Sequence, residues 1–127
     1  MNDKQLDQAK KQLREEMNAL GYGWINGNYT KPPKEFELRS REFDCIDMIN
    51  SILCYNCQGY TDAEAVMQYE EKAYYNYLAD YVKDLGRDKV VALIQGQIDS
   101  IAGVRNCVYT DSEGLSYNSI VWKEEAV

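Results

Sequence analysis

Apolar residues along this chain recur in two rhythms, and the switches between them mark out the elements. Leu6, Ala9, Leu13, Met17 and Leu20 return at three- and four-residue steps, which predicts a helix over Asn2–Leu20 with one narrow apolar stripe on a charged rod. Gly21 follows where a left-handed cap residue belongs. Such a stripe can dock on its own domain or pair with a partner helix. Fewer than three heptads are present, which favours packing at home.

The helical rhythm then stops. Asn26-Gly27 between Trp24-Ile25 and Asn28-Tyr29 predicts a tight hairpin, and Pro32-Pro33 ends it by removing backbone donors. Gly21, Gly23 and Gly27 lack the spacing of a dinucleotide-binding loop. Phe36 and Leu38 alternate with polar neighbours, so Lys34 to Arg39 reads as extended. Ser40 can then cap a second helix over Arg41–Tyr55, with Phe43, Ile46, Ile49 and Leu53 as its stripe, widened by Cys45, Met48 and Ile52.

Thr61-Asp62-Ala63-Glu64 has the form of a capping box and predicts a third helix continuing to Leu85, with Gly86 as its stop. On one broad face it carries Ala63, Val66, Met67, Ala73, Tyr74, Tyr77, Leu78, Tyr81, Val82 and Leu85. Glu70 points into that face and needs a partner there, or lies where the core ends. Five of the eleven tyrosines fall on this segment. They are expected to rim the core with their hydroxyls wet; the alternative is an aromatic contact surface for a partner. A fourth helix is predicted from Asp88 to Ile101 on Val90, Val91, Ile94, Ile98 and Ile101. Gly96 inside it costs about 1 kcal/mol against alanine, which a close helix crossing would explain. Val104–Thr110 and Leu115–Trp122 form a second predicted hairpin around the turn Asp111-Ser112-Glu113-Gly114, and the polar end is expected to fray. The expected fold is α+β: about four helices with one or two short antiparallel β-hairpins, in a single domain over residues 1–127.

Charge narrows the function. The chain has 127 residues and a net charge of −7. Met1–Arg41 carries eight basic against six acidic residues, a net of +2. Glu42–Val127 carries six against fifteen, a net of −9. That surface repels phosphate backbones, so direct nucleic-acid binding is not expected, and it suits a partner with a basic surface. No run is long and apolar enough for a membrane helix. The polar start from Asn2 to Glu16 lacks a signal peptide's apolar segment, so the cytoplasm is the expected address.

Three chemistries could be built from these residues. Cys54-Tyr-Asn-Cys57 has a two-residue gap, with Cys45 and Cys107 as possible further zinc ligands. Those two are singletons, however, and packed thiols are the simpler expectation. No strand precedes the pair, as a thioredoxin-like site requires. Asp44 with Asp47, and Asp80 with Asp84, share helix faces, but the chain has no histidine to serve as a neutral-pH base. Mimicry of DNA needs a ladder of acids. On the third helix Asp62, Asp80 and Asp84 edge one side of the apolar face while Glu64 and Glu71 edge the other. No catalytic, cofactor-binding or metal-binding residue is nominated, and no cofactor is expected.

The stretch Leu85-Gly86-Arg87-Asp88-Lys89-Val90 through Val108-Tyr109-Thr110-Asp111-Ser112-Glu113-Gly114, with Tyr117-Asn118-Ser119 and Trp122 beyond, resembles uncharacterised small accessory proteins and domains of conjugative transposons from Gram-positive bacteria. The resemblance covers about the C-terminal half and implies an accessory role in a mobile element, in counter-defence or transfer, with no active-site residues to carry over. The expected function is a non-enzymatic protein-interaction module. The alternative is a small carboxylate- or thiol-based metal-dependent domain or enzyme.

Overall fold

The computed structural model describes residues 1–108 and 114–124. Its element order is α1 (Asp3–Ala19), β1 (Gly23–Ile25), β2 (Asn28–Thr30), α2 (Lys34–Tyr55), α3 (Ala63–Lys72), α4 (Ala79–Leu85), α5 (Arg87–Ser100), β3 (Ile101–Val108) and β4 (Ser116–Trp122). The architecture is α+β, with two separate two-stranded antiparallel sheets, β1–β2 and β3–β4. Among the described residues there are five helices where four were expected. No helix among them is long and apolar enough to cross a membrane.

Helix α1 starts on a capping box. The Asn2 side chain accepts the Gln5 N–H at 2.8 Å and the Gln5 side chain accepts the Asn2 N–H at 2.8 Å. It ends as expected at Gly21 (φ +87°), with Tyr22 N–H to Met17 C=O at 2.9 Å and Gly21 N–H to Asn18 C=O at 3.0 Å. Leu6 and Leu13 are buried, so the stripe packs within this chain, against α2. The Asn26-Gly27 turn holds both residues at positive φ (51° and 80°), which matches the twist of β1 and β2.

Helix α2 corrects one expectation. Lys34 to Arg39 is helical, and Ser40 lies inside the helix instead of capping it. Pro33 stands at the entry, where a missing N–H costs nothing, and its C=O accepts from Phe36 at 3.0 Å. Glu35 and Glu37 in the first turn suit the positive end of the helix dipole. Phe36 is buried, with its ring 5.9 Å from that of Tyr22. Its burial on a helix accounts for an apolar position that also fits one side of a strand.

The core lies between α2, α3 and α5: Cys45, Ile49, Ile52, Leu53, Val66, Met67, Val90 and Ile94 are buried, together with Leu78 and Cys57. Buried Gln97 on α5 donates to Asn50 Oδ1 at 2.9 Å and to the Met1 C=O at 2.8 Å. Gly86 (φ +87°) ends α4 and opens α5. The expected helix crossing at Gly96 is not there: a Cβ at this exposed position would meet nothing within 4 Å. Strand β3 begins directly at Ile101, and Trp122 at the end of β4 is buried, its indole N–H donating to Asp3 at 3.4 Å. The expected turn at Asp111–Gly114 falls mostly at residues 109–113. These, and the end at 125–127, lie outside the described residues.

Candidate interaction surface

The predicted helix from Thr61 to Leu85 is two helices. The Asp62 carboxylate caps the first, accepting the Glu64 N–H at 3.1 Å in place of the expected Thr61 cap. A carboxylate there also complements the helix dipole. Helix α3 stops at Lys72, and Ala73 turns to extended backbone (ψ 158°). Two side chains hold the break. Glu70, 1% exposed, accepts the Tyr77 N–H at 3.2 Å. Asn76 accepts the Leu78 N–H at 2.9 Å, and Leu78 then drops into the core before α4 begins. Glu70 thus has the partner its place on the apolar face demanded, supplied by the break itself. Burial pushes its carboxyl above the usual range; the Tyr77 N–H acts in the opposite direction.

The break corrects the expected position of the tyrosines. Tyr74 is fully exposed, Tyr75 is 61% exposed and Tyr77 is 49% exposed. The Tyr75 and Tyr77 rings meet edge to face at 4.7 Å. Next to Tyr77 a groove of about 200 Å³ is lined by Met48, Ser51, Ile52, Tyr55 and Asn56 of the α2 end. Tyr81 behaves differently: it is half-buried under the Arg41 guanidinium, 4.3 Å from the ring centre. Trp24 and Tyr29, with tilted rings 5.3 Å apart on the β1–β2 hairpin, form another exposed aromatic pair.

Three of the four thiols, Cys45, Cys54 and Cys57, are buried and Cys107 is half-buried on β3, all as free thiols. Burial raises Cys45 to about 12, Cys57 to about 11 (with the Glu70 carboxylate adding to the rise) and Cys54 in the same direction. A thiol held protonated is a poor ligand and nucleophile. Among the described residues no three Cys, Asp or Glu side chains converge on a point that could hold a metal ion.

Most of the acids singled out by spacing serve as ties between helices. Asp47 pairs with Lys10 of α1, and Asp84 with Arg41 at 3.0 Å. Glu64 and Glu71 converge on Arg87 of α5, the latter at 2.9 Å, and Glu42 meets Lys89 at 2.8 Å. Asp44 lies near Lys10. Asp80 has no ion pair among the described residues. Exposed pairs of this kind are individually weak, but they draw the carboxylates away from any single ladder.

A cleft of about 610 Å³ opens between the α2–α3 connection and the start of β3, lined by Leu53, Cys57, Tyr60, Thr61, Asp99 and Gly103 among others. Its titratable lining is mixed, with the Cys57 thiol, the Tyr60 hydroxyl, the Asp99 carboxylate and the Lys123 amine, and it holds no cluster of three metal-ligating side chains among the described residues. No family model, curated protein or solved structure matches the chain. The chain is α+β, with three of its four thiols buried, most of the acids singled out by spacing tied in ion pairs, and Tyr74, Tyr75 and Tyr77 turned outward.

Proposed function

We propose that this chain is a non-enzymatic protein-interaction module, and that it engages its partner through Tyr74, Tyr75 and Tyr77 on the α3–α4 connection. The supporting observation is the held break at Ala73–Leu78, which presents three aromatic side chains on a backbone fixed by Glu70 and Asn76. Tyrosine offers large contact area with few rotatable bonds, and a pre-fixed backbone lowers the ordering cost of binding. The net −9 of the segment from Glu42 onward favours a partner with a basic surface and disfavours duplex DNA or RNA. The C-terminal resemblance supports an accessory role for the module in a mobile element.

The test compares wild-type protein with a Tyr74→Ser, Tyr75→Ser, Tyr77→Ser variant as baits in host lysate. A partner held by the wild type and lost by the folded triple variant, associating more slowly as salt rises, supports the reading. Identical captures by both proteins contradict it.

A further inference from the structure

The two edges of the β3–β4 sheet are not alike. Lys123 N–H donates to the Ser100 C=O at 3.0 Å, Ile101 pairs with Trp122, and after an irregularity at Ala102 the register runs from Gly103↔Val121 to Val108↔Ser116. In an antiparallel ladder alternate residues turn both backbone groups outward. On β4 the outward residue Asn118 is occupied. The Tyr55 hydroxyl accepts its N–H at 3.3 Å and donates to its C=O at 3.5 Å, while its side chain donates to the Cys54 C=O at 3.0 Å. Asn106 is the register partner of Asn118, so it turns its own N–H and C=O out from the opposite edge, as do Val104 and Val108. Outside the ladder these backbone groups have no hydrogen-bond partner among the described residues.

Nothing described blocks that edge. The 610 Å³ cleft, which Ala102, Gly103 and Val104 help to line, keeps the α2–α3 connection away from its near end. The outward positions are Val104, Asn106 and Val108, with no lysine or proline among them, although such residues commonly protect a free edge. Val108 is 63% exposed.

We infer that this edge pairs with β3 of a second copy, antiparallel and centred on Asn106. A two-fold axis there sets Asn106 against Asn106 of the copy, Val104 against Val108 of the copy, and Arg105 against Cys107 of the copy. Branched apolar side chains meet, and Arg105, the one charge on β3, does not face its own image. The strands β3 and β4 carry no acidic residue in a chain of net −7, so the paired strands bring no carboxylate against carboxylate. The repulsion left is long-range and is screened by salt. The edge is short, so the contact is smaller than a standard interface and the dimer dissociates on dilution.

Sedimentation equilibrium on the full chain, from low to high micromolar concentration, tests this. The expected mass rises from the monomer's 14.7 kDa towards twofold that value, and rises further with added salt. Asn106→Pro removes an outward N–H and leaves the backbone ladder its donors, with the loss of the Asn106 side-chain bond to Asn118 Oδ1 at 3.0 Å, and Val108→Lys places a cation at an exposed edge position; either should hold the protein at monomer mass with unchanged circular dichroism. Should Asn106→Pro unfold the sheet, Val108→Lys decides. A wild type that stays at monomer mass at every concentration and salt overturns the inference, whether or not it binds a foreign strand. So does a dimer that survives Val108→Lys. The salt response runs opposite to that of a basic partner on the tyrosine surface, so the two readings fail separately.

Discussion

Helix α2 and the α3–α4 segment are close in length and both carry apolar residues at helical spacing, yet one is a single 22-residue helix and the other breaks in the middle. On α2 the apolar positions from Phe36 to Cys54 find cover throughout, and Glu37, Arg39, Arg41, Glu42 and Asp47 lie outward in ion pairs. On α3–α4 the apolar spacing crosses a buried carboxylate at Glu70 and then the run Tyr74-Tyr75-Asn76-Tyr77. A continuous helix would leave Glu70 sealed without a donor and push the polar-tipped Tyr74 and Tyr77 towards the core. Opening the chain between Lys72 and Ala79 frees the Tyr77 N–H for Glu70 and lets Asn76 hold the restart. Apolar periodicity thus places residues around a helix and says little about whether the helix continues.

The largest effects are expected where each segment meets the core. Ile49→Ala on α2 and Leu78→Ala just past the break both remove fully buried side chains, so each should cost roughly 2–5 kcal/mol in urea unfolding. A small effect at Leu78 alone would mean that the connection is not docked on the core, and the contrast between the two segments would fall.

Asn76→Ala sharpens the contrast next, with an expected loss of about 1 kcal/mol, because the Leu78 N–H loses its acceptor. Gly96→Ala should do the reverse on an unbroken helix. Open space at that Cβ predicts a gain of up to about 1 kcal/mol, read as a higher melting temperature.

Glu70→Gln probes the break through pH. Burial raises the folded-state pKa of Glu70 above the unfolded value, so the folded chain binds the proton more tightly. The resulting stability is fully present below the unfolded carboxylate range and is lost as pH rises through the folded value. Glutamine keeps an oxygen for the Tyr77 N–H and carries no charge, so the variant should gain on the wild type as pH climbs from 4 to 7. A constant difference across that span would contradict the assignment. The smallest effect belongs to Tyr74→Ser, which should leave stability within about 0.5 kcal/mol of wild type.

Much of the fold was legible where one residue type has one physical use. Gly21 and Gly86 at positive φ, and Asn26-Gly27 in the β1–β2 turn, are cases in which a backbone requirement is visible as a letter. The start of α2 was not, because Phe36 and Leu38 fit a strand as well as a helix; Glu35 and Glu37 behind Pro33 were the signal that could have decided it. The candidate surface was half legible. Glu70 declared its need for a partner, but that partner is a backbone N–H seven residues on, which no spacing rule offers. The acids at Asp47 and Asp84 were placed on the right faces, but their ion-pair partners sit more than thirty residues away.

The central claim is that the chain leaves the helix between Lys72 and Ala79 and thereby turns Tyr74, Tyr75 and Tyr77 outward. Backbone NMR on the free protein tests it most directly. Helical Cα shifts are expected over Ala63–Lys72 and Ala79–Leu85, with their loss between, and a Tyr77 amide proton that is protected from exchange and moves as Glu70 titrates. Unbroken helical shifts from Ala63 to Leu85, with an unprotected Glu70-independent Tyr77 amide, would contradict it.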